Sequence, residues 1–253
     1  MSIRTANVDG VATIEIARPE KKNALTGAMY RAMADALVAA KEDAAVRAVL
    51  ITGQPGIFTS GNDIEDFMQR PPGSDESPAI VFMKALMGCD KPVVAAVTGA
   101  AIGIGTTMLL HCDFVFVSDE ARLAMPFVSL GLVPEFASSL IVPQLMGNAR
   151  AAEKLLLGDP FSGADAVEMG IANAVLPAAE VAPHARRIAE RFNTLPPGAV
   201  RETKRLMRRG RSAAILDTIG VERDIFGARL QSPEAKEAFS AFFEKRKPDF
   251  SRF

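Results

Sequence analysis

Glu135 is a lone carboxylate among apolar neighbours, in the run Leu130-Gly131-Leu132-Val133-Pro134-Glu135-Phe136-Ala137-Ser138-Ser139. Leu132, Val133, Phe136 and Leu140 would strip water from it, raise its pKa and fit it to exchange protons near neutrality. The same position also reads as the start of a helix, because Pro134 suits a first helical position and an acid there complements the helix dipole. These residues alone allow both readings.

Two glycine-bearing segments could work beside such a group. Phe58-Thr59-Ser60-Gly61-Asn62-Asp63-Ile64 follows a short apolar strand. Its glycine beside small residues lets backbone approach a ligand, and Asp63 can cap a following helix, although a plain strand–helix turn would look the same. Gly99-Ala100-Ala101-Ile102-Gly103-Ile104-Gly105 runs from a buried strand into a helix start. Free N–H groups and the helix dipole favour developing negative charge there. It is a poor dinucleotide fingerprint: Met108 falls where the third glycine belongs, and no ribose carboxylate follows.

Other chemistries are disfavoured. Ser129 has Phe127 where a nucleophile elbow needs glycine. His111, Cys112 and Asp113 are consecutive and cannot all face one metal, and His184, the other of two histidines, reads as solvated, so no metal site is expected. Residues 186–211 hold nine arginines and lysines against two glutamates. They read either as a solvated helix face or as a site for phosphate or a neighbouring subunit.

The elements that must position these residues follow from periodicity. Strands are predicted at 11–17, 46–52, 92–97 and 114–118, the third with no alternation and so buried on both faces. Helices are predicted at 25–42 with Thr26 as N-cap, at 63–70, at 80–87 and at 106–111. The Pro-, Gly- and Ser-rich stretch 71–78 reads as a loop. Beyond 181 only helical periodicity remains, at 181–192, 197–209, 213–230 and 233–243. The class is therefore α/β, with a core over 1–195 and a helical region over 196–253.

An apolar fraction of 49% is enough for a sizeable core. A net charge of −1 offers nothing to nucleic acid or an anionic membrane. Apolar runs fall far short of the roughly 18 residues that span a bilayer. Cys89 and Cys112 lack metal or redox spacing and read as reduced and buried. With no apolar N-terminal run and no peroxisomal ending in Ser251-Arg252-Phe253, a cytoplasmic location is expected.

Taken together, the chain resembles the enoyl-CoA hydratase/isomerase (crotonase) family nearly end to end. The resemblance is carried by Arg18-Pro19 with Asn23-Ala24-Leu25, by the F-x-x-G-x-D loop 58–63, and by the Lys91-to-Gly99 strand and turn. Cys112-Asp113, the Leu-Gly-Asp-Pro-Phe segment 157–161, residues 164–170 and Ala241-Phe242-Phe243-Glu244-Lys245-Arg246 extend it. It implies a spiral of ββα turns, a C-terminal helical region that packs homotrimers or dimers of trimers, and an acyl-CoA thioester as the partner. Coenzyme A would then be part of the substrate, with no further cofactor.

The resemblance also assigns residues. The backbone N–H groups of Asn62 and Ile104 would form an oxyanion hole for the thioester carbonyl. Lys21, Lys22, Ala24, Ser60, Gly61, Asp63 and Ile64 would lie along coenzyme A, with Gly103 and Phe127 as further substrate contacts and Lys245 reaching in from a neighbour. Hydratases of the family hold water between two glutamates, whose positions fall here on Thr107 and Phe127. Ser60-Gly61-Asn62-Asp63 and Pro134-Glu135-x-x-Ser138-Ser139 instead look like the Δ3,Δ2-enoyl-CoA isomerase branch, in which one glutamate, here Glu135, shuttles the proton. Phe67, Met68, Phe82, Met83, Phe127 and Phe136 are candidates for an acyl pocket or for plain core.

Overall fold

The computed structural model describes residues 2–69 and 74–253. β1 (Ile3–Val8) and β2 (Val11–Ile16) form an antiparallel hairpin through Asp9 and Gly10, whose φ angles of 48° and 72° are left-handed. β2 shows the expected pattern. β1 was not predicted because its side chains are almost all exposed: it is an edge strand held by backbone pairing, which leaves no apolar period to read.

The chain continues through α1 (Gly27–Glu42), β3 (Ala48–Thr52), β4 (Ile57–Thr59), α2 (Ile64–Gln69) and α3 (Pro78–Gly88). Thr26 caps α1 as expected, its side chain accepting from Met29 N at 3.4 Å. Part of the loop expected at 71–78 lies outside the described residues, as does Arg70. Next come β5 (Val93–Val97), β6 (Ala100–Ile102), α4 (Ile104–Thr107), β7 (Phe114–Ser118), β8 (Arg122–Ala124), α5 (Ser138–Met146) and α6 (Asn148–Ala152). β9 (Phe161–Ser162), α7 (Gly163–Glu168), β10 (Ala174–Leu176), α8 (Ala178–Glu190), α9 (Pro197–Arg209), α10 (Ser212–Leu230) and α11 (Pro233–Phe243) complete it.

Two sheets explain the order. One runs β1-β2-β3-β5-β7-β10 and the other β4-β6-β8-β9, so β3/β4, β5/β6 and β7/β8 each leave the first sheet, enter the second and pass on to helix. That is a spiral of ββα turns. The centre of the first sheet is buried on both faces: Val94 and Ala96 of β5 meet Val181, Ala185 and Ala189 of α8, while Val93, Ala95 and Val97 face the main core. This is why β5 shows no alternation. His184, read as solvated, instead sits on that α8 face with its ring 4.6 Å from Phe116.

One boundary matters for chemistry. The helix after the glycine turn begins at Ile104, two residues before the expected start, and a 3₁₀ turn (Met108–His111) replaces its second half. Ile104 therefore occupies the first helical position, where an N–H has no partner within the helix. Among the described residues, no helix is long and apolar enough to cross a membrane.

Candidate active site

The Arg18–Leu25 and Thr59–Asp63 loops are zipped together. Asn23 is fully buried and left-handed (φ 55°), and its amide donates to Ile16 O, Ile57 O and Phe58 O while its oxygen accepts from Arg18 N. Leu25 N donates to Gly61 O at 2.8 Å, and Asp63 N donates to Leu25 O at 2.9 Å. Arg18 ties the pair from outside, bonding Ala24 O and the Asp63 carboxylate. Burial would raise the Asp63 carboxyl, but the Arg18 hydrogen bond and charge hold it below its ordinary value. Asp63 also caps α2 by accepting from Asp66 N, so its expected capping role is observed.

This zipper leaves the N–H of Asn62, between the two ladder bonds, facing the other way. Gly61 makes the crossing possible: its φ is +94°, and a Cβ there would lie 3.0 Å from Ile102 O. Gly103, with φ +58°, turns the chain into α4. The N–H groups of Asn62 and Ile104 have no hydrogen-bond partner among the described residues, and both residues line one pocket of about 90 Å³. Ser60, Gly61, Ile64, Gly103 and Phe127 line it too. Two unpaired donors in one apolar pocket can receive an oxygen that gains negative charge.

That pocket shares Ser60, Asn62, Ile64, Ile102, Pro126 and Leu130 with a cleft of about 580 Å³. Lys21, Lys22, Ala24 and Asp63 line the cleft as well. The sequence-derived contact residues are thus brought together with one exception. Lys245 lines neither space, although Phe242 and Phe243, just before it on the same chain, stand at the cleft wall.

Glu135 does not start a helix, since α5 begins at Ser138. Its side chain is buried, with Oε1 lacking any hydrogen-bond partner among the described residues. Burial first, then the charge of Glu222, push its carboxyl up to about 8. It lines a small space of about 20 Å³ with Met83, Phe136, Ile219, Glu222 and Phe226. The amide pocket and the Glu135 space adjoin without merging, and Phe226 stands in the wall of both. Tyr30 links the two sides: its hydroxyl donates to Asn62 Oδ1, and the Glu135 charge acts on its phenol.

Two consecutive non-glycine residues after Glu135, Phe136 (φ 59°) and Ala137 (φ 56°), are left-handed. Each such residue costs about 1–2 kcal/mol, so the turn needs outside support. His111 gives it from one side, donating from Nε2 to Phe136 O at 2.8 Å and stacking on the Phe136 ring. Burial holds the His111 pKa at about 3, so its imidazole is neutral. Glu222 gives it from the other, accepting from Ala137 N, Ser139 N and Ser139 Oγ.

Glu222, His111, Tyr30 and Phe226 were all missed as functional residues. A charge on the otherwise apolar buried face of α10 was the one available signal, since Glu222 falls in step with Ile215, Ile219 and Phe226. Of the acyl-pocket candidates, Phe67 and Phe127 line the amide pocket, and Met83 and Phe136 line the Glu135 space. Phe82 is plain core, and Met68 is half exposed. Thr107 and Phe127 are both buried, and Thr107 Oγ1 has no partner among the described residues. Cys112 is less enclosed than Cys89, and burial pushes its thiol up to about 12.

The raised Glu135 carboxyl has a consequence for stability. The folded chain keeps a proton that the unfolded chain gives up near 4.5, so stability is lost as pH rises from 4.5 towards 8. Glu135→Gln removes that titration. It is expected to raise Tm at pH 8, by roughly 2–4 °C for each kcal/mol relieved, and to leave Tm unchanged below pH 4.5. Paired thermal melts check this, and equal gains at both pH values would contradict it.

The model of the enoyl-CoA hydratase/isomerase family matches residues 6–252. Among solved structures, Pseudomonas aeruginosa OdaA is 55% identical, with a TM-score of 0.94 over 95% of this chain and 98% of that one. Human enoyl-CoA delta isomerase 2 is 33% identical over 94% of this chain, which spans 62% of that relative's length. Crotonyl-CoA hydratase of Syntrophomonas wolfei is also 33% identical, over 95% of this chain and 94% of its own.

Proposed function

Since this chain belongs to the enoyl-CoA hydratase/isomerase family and has its fold, we propose that it moves the double bond of an enoyl-CoA from C3 to C2, with Glu135 as the one proton carrier. The observation that carries this reading is Glu135 itself: a buried carboxyl with an unpartnered oxygen, pushed to about 8. A group that takes a proton from carbon and returns it two atoms away works best with a pKa near the working pH.

The thioester oxygen rests between the Asn62 and Ile104 amides, and coenzyme A lies along the cleft of Lys21, Lys22, Ala24, Ser60, Asp63 and Ile64. Glu135 takes a proton from C2. The negative charge spreads through the dienolate onto the thioester oxygen, where fixed donors typically supply about 3–4 kcal/mol. The proton returns at C4. Phe226 lines both spaces, so the acyl chain passes this ring on its way to Glu135. In this reading coenzyme A is substrate, and one carboxylate carries the chemistry.

Hydration is the second reading, favoured by the likeness to a crotonyl-CoA hydratase at the same identity. Against it stand Thr107 and Phe127, because adding water calls for an acid and a base around that water. A homotrimer or dimer of trimers is part of the proposal. The exposed apolar side chains Leu206, Met207, Leu216, Val221 and Ile225 along α9 and α10 suit such packing.

The test is product analysis with 3-enoyl-CoA and 2-enoyl-CoA as separate substrates. Conversion of the first to the 2-enoyl isomer, with slow or no 3-hydroxyacyl-CoA from the second, is the expected result. Rapid hydration of 2-enoyl-CoA without isomerisation would overturn it.

A further inference from the structure

We propose that Glu222, on α10, is the positioning residue that holds the Glu135 carboxylate in place by clamping the left-handed turn that follows it. The inference rests on the reading of Glu135 as proton carrier. An ordinary helix takes its N-terminal acceptor from a residue just before it, as α1 takes Thr26. The residue in that place before α5 is Ala137, which has no acceptor to offer. The acceptor comes instead from 83–85 residues away: Glu222 takes Ala137 N at 2.6 Å, Ser139 N at 3.0 Å and Ser139 Oγ at 2.5 Å.

The same side chain reaches the chemistry. Glu222 and Glu135 line one small space, yet their surroundings differ. Three donors converge on Glu222, whereas Glu135 Oε1 has no partner among the described residues. Burial raises the Glu222 carboxyl too, but its hydrogen bonds from Ser139 and Ala137 oppose that rise and Glu135 Oε1 has none, so of the two acids Glu222 gives up its proton first. The other groups around Glu135 do not compete. Tyr30 on α1 stays a neutral phenol, raised by burial first, and His111 behind Phe136 stays a neutral imidazole. Arg223 is held by Asp75 and Asp224, and α3 contributes only Ala79, Ile80 and Met83.

The chain supplies its own reporter. Tyr30 is the only tyrosine and there is no tryptophan, so near-ultraviolet emission comes from the phenol on which the Glu135 charge acts. A nearby carboxylate quenches tyrosine emission, which makes a pH titration of that emission a readout of Glu135 without substrate. The wild-type midpoint is expected near 8, and Glu135→Gln should abolish the transition. Glu222→Gln, which removes a like charge, should lower the midpoint by about one pH unit or more. The acid limb of kcat/KM should move with it.

Glu222→Ala, which frees the turn, should cut kcat about 10- to 100-fold with little change in KM. An unmoved midpoint in Glu222→Gln overturns the proposal, and so does full kcat in a folded Glu222→Ala. If Glu222→Ala does not fold, the Glu222→Gln titration decides. A wild type that titrates as expected but does not isomerise 3-enoyl-CoA would sink the functional reading and leave the clamp standing.

Discussion

Glu135→Gln is expected to lower kcat on a 3-enoyl-CoA about 10²- to 10⁴-fold, with KM nearly unchanged. Glutamine has the same shape, and Oε1 of Glu135 gives up no hydrogen bond on replacement. Glu135 does not line the cleft proposed for coenzyme A, so binding is expected to be spared. What disappears is the group proposed to take the C2 proton. Exchange of the C2 hydrogens with deuterated solvent should be lost in parallel, because it needs the first half of the same transfer. Thermal melts at the assay pH separate this loss from unfolding: with the carboxyl pushed up to about 8, its removal is expected to raise Tm there. Single-turnover and steady-state rates on both proteins check the result. A variant that keeps a tenth or more of wild-type kcat would show that another group moves the proton.

Much of this arrangement was legible in the sequence, for physical reasons that differ from residue to residue. β5 was legible because burial on both faces leaves a continuous apolar run. α9 and α11 fell where their periodicity put them. The short second sheet was not legible, since strands of two or three residues such as β6, β8 and β9 hold no full period. The amide pair was legible only through the resemblance: backbone N–H groups leave no trace in residue type, and the role proposed for Asn62 and Ile104 rests on theirs. Glu135 was legible as an acid among apolar neighbours. Its support was not, because Glu222 and His111 reach the turn from 83–85 and 25 residues away. Nor was the division of the site by Phe226, a ring that periodicity assigns to core like any other.

Ile104→Pro is expected to lower kcat about 10²- to 10³-fold, equivalent to about 3–4 kcal/mol of lost transition-state stabilisation. Proline has no N–H, so the substitution deletes one of the two donors proposed for the thioester oxygen, together with part of the side chain. The backbone accepts it. Ile104 is the first helical residue, where proline is tolerated because that N–H is unpaired in any case. Gly103, which precedes it, has φ 58° and ψ −119°, outside the right-handed helical region that a following proline disfavours. The Ile104 side chain is fully buried, so lost packing will cost stability as well. Ile104→Ala separates the two effects: it removes more side chain and keeps the N–H. The expected order is a modest loss of kcat in Ile104→Ala and a deep one in Ile104→Pro, with thermal melts confirming that both variants are folded at the assay temperature. Equal kcat in the two would mean that the thioester oxygen does not depend on this amide, and the dienolate would have to be held elsewhere.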